Sequence, residues 1–241
     1  MKLYNSVALV TGANRGLGAA IAHALLERGA ATVYAGVRDP ATVVTRPGLV
    51  PVRLDVTDPA TVAAAAERCG DVTLLVNNAG IAPFGSTLSP TATDDARAAM
   101  ETNYFGPLAL SRAFAPVLAR NGGGTLVNVL SVLSWLSFPT TGAYSASKAA
   151  AWALTNALRL ELLDRGTRVV GVHAGYIDTD MAAGVTEPKS SPEDVAAQIL
   201  DAIEADRDEV LADAVSQAVR AGLAGELTAL YPQLAVGSGA V

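Results

Sequence analysis

The chain has one cysteine, Cys69, and two histidines, His23 and His173, in 241 residues. A single thiol excludes an internal disulfide, and two imidazoles so far apart in sequence form no metal-ligand cluster, so no metal site is expected. Charged residues make up 17% and aromatic residues 5%. The formal net charge is −6 and the sequence pI about 4.9, which argues against nucleic acid or an anionic membrane as a partner. Any phosphate must then be held by local basic residues. No apolar run approaches the ~20 residues that span a bilayer, and the first residues lead directly into a strand pattern. Neither anchor nor leader is expected, and the expected location is cytoplasmic.

What is abundant is apolar: 51% of the residues are hydrophobic, enough for one large α/β domain over residues 1–241 with a substantial core. Short β-branched runs alternate with Ala- and Leu-rich stretches along the whole chain. That rhythm predicts a doubly wound parallel sheet with helices on both faces. Strands are expected at residues 7–11, 32–35, 50–54, 72–76, 125–130, 168–172 and 209–211, with the longest helices at 94–118 and 144–164. Asp164-Arg165-Gly166 reads as a helix stop and Ser191-Pro192-Glu193-Asp194 as a helix start.

Directly after the first strand, Thr11-Gly12-Ala13-Asn14-Arg15-Gly16-Leu17-Gly18 carries three glycines into a helix. Glycines allow a sharp turn and a close backbone approach to a pyrophosphate, and the helix start offers unpaired N–H groups. The spacing is not the common G-x-G-x-x-G, and glycines at a strand end also serve as plain turn formers. In a dinucleotide-binding fold, an acidic residue at the end of the second strand selects the free ribose 2′-hydroxyl. Here the chain reads Ala35-Gly36-Val37-Arg38-Asp39. Arg38 with Arg15 would clamp a 2′-phosphate by charge-assisted hydrogen bonds, favouring NADP(H), while Asp39 leaves room for a ribose carboxylate. Asp55-Val56 and Asn77-Asn78-Ala79-Gly80 follow the third and fourth strands, where ligands of such sheets sit.

The segment Tyr144-Ser145-Ala146-Ser147-Lys148 sets a phenol and an ammonium one helical turn apart, on one face. A free tyrosine titrates near ~10, and a neighbouring cation favours the phenolate. This is a proton-donor arrangement, although Tyr and Lys four apart also occur on solvated helix faces.

Taken in order, these motifs resemble the short-chain dehydrogenase/reductase family, over residues 6–211. The resemblance rests on the glycine turn from Thr11 to Gly18, Asp55, Asn77 to Gly80, Asn103, Ser131, and Tyr144 with Lys148. It implies a Rossmann-type twisted parallel sheet of about seven strands, a nicotinamide cofactor, and hydride transfer to or from a carbonyl or alcohol carbon. By resemblance Tyr144 protonates the carbonyl oxygen, Lys148 lowers the pKa of Tyr144 and bonds the nicotinamide ribose, and Ser131 polarises the carbonyl. Asn103, within the long helix, would order a water linking Lys148 to solvent. Gly12, Asn14, Arg15, Gly16, Leu17, Gly18, Asn78, Ala79 and Gly80 would line the cofactor, with Asp55 and Val56 at the adenine. Gly175, Ile177 and Thr179 would hold the nicotinamide end. Ser134 rivals Ser131, which is favoured because it falls at a strand end. His173-Ala174-Gly175 departs from the family's Pro-Gly stretch at Ala174, and His173 reads as a strand-end residue without catalytic work.

Three loops, 81–88, 132–142 and 176–190, should enclose the substrate. Phe84, Trp135, Phe138, Tyr176 and Met181 are concentrated there, which suits a small apolar or aromatic ketone or aldehyde, with at least one ring expected only to pack the loops. The leading expectation is an NADPH-dependent carbonyl reductase. A NAD-dependent alcohol dehydrogenase and a non-catalytic NADP-binding redox sensor are the alternatives. Family resemblance implies a homodimer or homotetramer through the two long helices; Ala146, Ala149, Ala150, Ala153 and Ala157 would permit close packing there or against the chain's own sheet. Residues 212–241 read as a helical extension that either blocks the tetramer face or covers the pocket.

Overall fold

The computed structural model describes residues 1–237; the last four residues of the 212–241 extension lie outside the described residues. Seven strands, β1 (Val7–Thr11), β2 (Thr32–Val37), β3 (Leu49–Arg53), β4 (Leu74–Asn77), β5 (Gly124–Val129), β6 (Thr167–His173) and β7 (Glu209–Leu211), form one sheet. The strand order is β3-β2-β1-β4-β5-β6-β7, and every pairing is parallel. In β1, Ala8, Leu9 and Val10 are wholly buried, as expected of a parallel strand covered on both faces. Neighbours set the strand ends. β2 runs on to Val37 because β3 pairs with it through Arg53, and β4 starts at Leu74 because its register with β1 begins at Ala8.

One face is covered by α1 (Gly16–Glu27) and α6 (Pro192–Glu204), which bury Ile21, Leu25, Ile199 and Leu200 against the sheet. Ser191 caps α6 by accepting from the Asp194 N–H, with Pro192 at the first turn, as its sequence signals. The other face is covered by α2 (Pro59–Arg68), α4 (Gly106–Arg120) and α5 (Gly142–Glu161) around Phe114 and Leu118. α5 starts two residues before Tyr144 and is followed by a tight turn at Leu163–Arg165 that Gly166 closes at φ +65°.

The helix expected at 94–118 is interrupted. α3 (Ala92–Met100) passes through a five-residue π-turn, Glu101–Phe105, before α4 begins. Pro107 lacks the N–H that an α-helix would offer to the carbonyl of Asn103, so the i to i−4 ladder cannot run through this point. Asn103 therefore lies in the π-turn and not in regular helix. Two short helices, α7 (Ala214–Gly222) and α8 (Leu227–Leu230), and a turn at Pro232–Gly237 complete the described residues.

The sheet order reverses between β1 and β4, and the cleft opens at their carboxyl ends. The Thr11 hydroxyl accepts from the backbone N–H groups of Asn78 and Ala79, both at 2.9 Å, and the Asn78 amide donates to the Thr11 carbonyl at 2.9 Å. Gly18 lies against this knot: a Cβ there would overlap the Gly12 carbonyl and the Asn78 amide. Gly18→Ala should cost about 2–3 kcal/mol by overpacking and lower Tm by roughly 5–10 °C. Gly85→Ala, with open space around it, should leave the thermal melt unchanged.

Candidate active site

The glycine turn after β1 has the form an anion needs. Gly12 and Gly16 hold φ +66° and +54°, and no side chain caps the first turn of α1. Its first N–H groups thus face the cleft with the helix's partial positive charge. Asn14 and Arg15 are exposed, whereas Leu17 buries its side chain in the core and leaves only its backbone at the turn. These residues fit a dinucleotide pyrophosphate. Beyond β2, Arg38 is exposed and forms no ion pair among the described residues. Asp39 instead folds its carboxylate onto its own turn, accepting from the Ala41 N–H at 3.0 Å. Asp55 accepts from the backbone and hydroxyl of Thr57, which hold its carboxyl below the usual range, aided by the charge of Arg38. Val56 is buried against Gly106.

Loop 176–190 reaches over the glycine turn. Thr179 packs against Gly16, and Arg15 pairs with Asp180 at 2.8 Å, so Arg15 is already engaged by a carboxylate. Ile177 bridges to Ser190 at the base of this loop. Gly175 gives its N–H to Asp213 at 2.6 Å, a residue that the motifs did not single out. Asp213 also caps α7 by accepting from the Ser216 N–H. The Gly175 N–H is therefore committed to holding the loop.

Tyr144 stands in the first turn of α5, with Lys148 one turn on and its Nζ 5.7 Å from the phenol ring centroid. The ammonium is aimed elsewhere, donating to the Val129 carbonyl at the end of β5 at 2.7 Å. Burial governs both groups: it pushes the Tyr144 phenol up to about 12 and Lys148 down to about 8. Lys148 is not among the groups that lower the phenol's pKa, against the expectation. Low polarity around both groups disfavours both charged forms, and what opposes the rise at Tyr144 is the hydroxyl of Ser131. Ser131 caps a tight turn at Val132–Ser134 and accepts from the Leu133 N–H at 3.1 Å. Ser134 turns back to accept from the Ser131 N–H at 3.3 Å, so its hydroxyl is engaged within the turn.

Asn103 is buried, and both its amide hydrogens are used. Its amide donates to the Ile81 carbonyl at 2.8 Å and the Ser147 hydroxyl at 2.9 Å, and its oxygen accepts from the Ile81 N–H at 2.9 Å. Asn103 clamps the turn around Gly80 to α5 through Ser147, whose hydroxyl donates to the Tyr144 carbonyl at 2.7 Å. Ser147, like Thr11 and Asp213, was not singled out in the sequence.

Phe84, Phe138, Tyr176 and Met181 are all substantially exposed on the three loops, an unusual apolar concentration in this chain. Loops 81–88 and 132–142 are joined by the Gly85 N–H donating to the Thr140 carbonyl. Trp135 corrects the expected lining. Its ring is stacked on His173 at 3.7 Å and meets Trp152 edge-on, so it packs behind the loop. The C-terminal helices pack here too: Val219 and Tyr231 lie on Val132, Leu133 and Leu136 beside Tyr144, and the Tyr231 hydroxyl accepts from the Ser137 N–H at 2.9 Å. Of the two placements left open for the extension, its described part lies against the loop that bears Ser131.

With this geometry in view, the comparisons agree. The short chain dehydrogenase family model matches residues 6–190. A short chain dehydrogenase from Burkholderia cenocepacia J2315, solved in complex with NADP, is 45% identical with TM-score 0.93, covering 97% of this chain and 99% of its own. A short chain dehydrogenase/reductase from Burkholderia phymatum in complex with NAD is 26% identical with TM-score 0.83, covering 91% and 93%. Dehydrogenase/reductase SDR family member 7B of Mus musculus is 36% identical over 204 residues, 78% of this chain but 63% of the mouse protein, so the chain spans under two thirds of that relative's length. The chain belongs to the short-chain dehydrogenase/reductase family. No helix of the described residues is long and apolar enough to cross a membrane.

Holding Lys148 charged in a buried site destabilises the fold. Its folded pKa, about 8, lies below the ordinary value of 10.5, so between these limits the unfolded chain binds more protons and stability rises with pH. Lys148→Met lacks this titration. The Tm difference, variant minus wild type, should therefore fall as pH rises from 8 to 10.5, and calorimetry or thermal melts across that range would measure it.

Proposed function

We propose that the chain is an NADPH-dependent oxidoreductase that reduces the carbonyl of a ketone or aldehyde to an alcohol, with Tyr144 as the proton donor. The observation that carries this reading is the half-buried Tyr144 one turn from Lys148, with Ser131 near enough to oppose the rise of its pKa, beyond the carboxyl end of β5. When bound, reduced nicotinamide supplies the hydride. Ser131 would hold and polarise the carbonyl oxygen, and Tyr144, kept protonated by burial, would transfer its proton to that oxygen as negative charge develops. Lys148 would carry positive charge beneath the phenol to favour the tyrosinate left behind.

Several features support NADP(H). Arg38 has no ion pair among the described residues, Asp39 is turned onto its own backbone, and the 45% identical Burkholderia cenocepacia relative was solved in complex with NADP. The second reading, a NAD-dependent alcohol dehydrogenase, draws on the NAD complex of the 26% identical relative and on the engagement of Arg15 by Asp180. The exposed Phe84, Phe138, Tyr176 and Met181 favour a small apolar or aromatic carbonyl compound. Assembly as a homodimer or homotetramer would use the two long helices α4 and α5, between which a groove is lined by apolar residues such as Pro116 and by the charged Arg112, Glu161 and Arg165. Ala146, Ala153 and Ala157 are exposed on α5, facing away from the chain's own sheet.

Turnover measured by loss of nicotinamide absorbance, with NADPH and NADH across ketones, aldehydes and quinones, tests the assignment. Tyr144→Phe should lower kcat by about 100-fold or more while the Kd for NADPH stays within about twofold. Substantial residual reduction would remove Tyr144 from the mechanism. Arg38→Asp should raise the Kd for NADPH about 10- to 100-fold and leave NADH nearly unaffected; equal effects on both would favour the NAD reading.

A further inference from the structure

His173 closes β6 and is none of the groups that would meet substrate or cofactor. Its ring is wholly buried, and Nδ1 lies 3.1 Å from the carbonyl oxygen of Ser131. A carbonyl oxygen only accepts, so the ring's proton sits on Nδ1 and His173 donates. Burial pushes the imidazole down to about 4, which keeps it neutral over the ordinary working range. The next residue, Ala174, completes the grip: its carbonyl accepts from the Val132 N–H at 2.9 Å and from the Ser131 hydroxyl at 3.4 Å. Two consecutive residues at the end of β6 thus pin both edges of the peptide that joins Ser131 to Val132.

The ring itself is held from several elements. Trp135 stacks on it with an interplanar angle of 17°, and the Arg220 guanidinium of α7 lies 5.9 Å from the Trp135 ring. Arg220 is paired at 3.2 Å with Glu209 of β7, whose other oxygen is 3.9 Å from Nε2. Nε2 has no hydrogen-bond partner among the described residues. A buried nitrogen without a partner destabilises the fold. A phenyl ring would stack on Trp135 without that cost, so packing gives no reason for an imidazole here. What an imidazole provides and a phenyl ring does not is the Nδ1 donor.

We propose that His173 is a positioning residue for proton transfer: its Nδ1–H, bonded to the Ser131 carbonyl, sets the placement of the Ser131 hydroxyl against the Tyr144 phenol. The inference rests on the roles proposed above for Ser131 and Tyr144. Two substitutions separate donor from ring. His173→Phe keeps the ring and removes the donor; His173→Asn keeps an N–H near the place of Nδ1 and removes the ring. His173→Leu takes the place of His173→Phe if the phenyl ring prevents folding.

In the full chain, His173→Phe should lower kcat about tenfold, with KM and the Kd for NADPH within about twofold, and His173→Asn should recover most of that loss. A second readout does not need turnover. The 13Cζ chemical shift of Tyr144 in tyrosine-labelled protein reports hydrogen bonding at its hydroxyl, and His173→Phe should move it in the direction that Ser131→Ala does, with His173→Asn close to wild type. The proposal is overturned if His173→Phe matches wild type in both readouts while Ser131→Ala shifts the Tyr144 signal, or if His173→Asn is the impaired variant and His173→Phe is not. Wild-type protein that reduces no carbonyl would refute the proposed function, and the Tyr144 signal would still decide the part played by His173.

Discussion

The hydroxyl of Thr11 ties together the two strand ends from which the site is built. β1 and β4 are neighbours in the sheet, but the chain leaves them for opposite faces, and the cleft exists because their connections diverge. A single oxygen accepting from the Asn78 and Ala79 N–H groups fixes the turn after β4 to the turn after β1. Gly18 lets α1 approach this knot, and Asn103 fastens its far side to α5. The glycine cradle and the Tyr144 helix are thus referred to one frame, which is what a hydride source and a proton donor acting on the two atoms of one carbonyl group would require.

Burial imposes the second constraint. A phenol and an ammonium taken out of water each resist charge; Ser131 opposes the rise at Tyr144, and Lys148 donates to the Val129 carbonyl. Burial thus keeps the proton on Tyr144, the state that the proposed donor role needs. The same low polarity strengthens any electrostatic effect that a bound partner brings, because fewer waters screen it.

The loop that carries Ser131 is supported from behind by the last part of the chain. Asp213 holds Gly175, Tyr231 holds Ser137, and Trp135 is stacked between His173 and the Arg220 side chain. This arrangement makes residues 212–231 a buttress for the pocket wall. It also explains why one of the loop aromatics is absent from the apolar surface that faces the cleft.

The local features were legible in the sequence, because they depend on neighbours a few residues apart. Strands β1 and β7, the caps at Ser191 and Gly166, and the Tyr144–Lys148 spacing follow from periodicity and turn chemistry within one segment. The order of the motifs was enough to identify the family. The π-turn at Glu101–Phe105 had a visible signal in Pro107, but its effect depends on how Asn103 meets Ile81 and Ser147. The direction of the Lys148 ammonium, the withdrawal of Trp135 from the pocket and the work of Thr11, Ser147 and Asp213 were settled only by the tertiary structure. Each is a contact to a partner brought close by the packing of the sheet, and short polar side chains bonding to distant backbone leave no periodic trace in the chain.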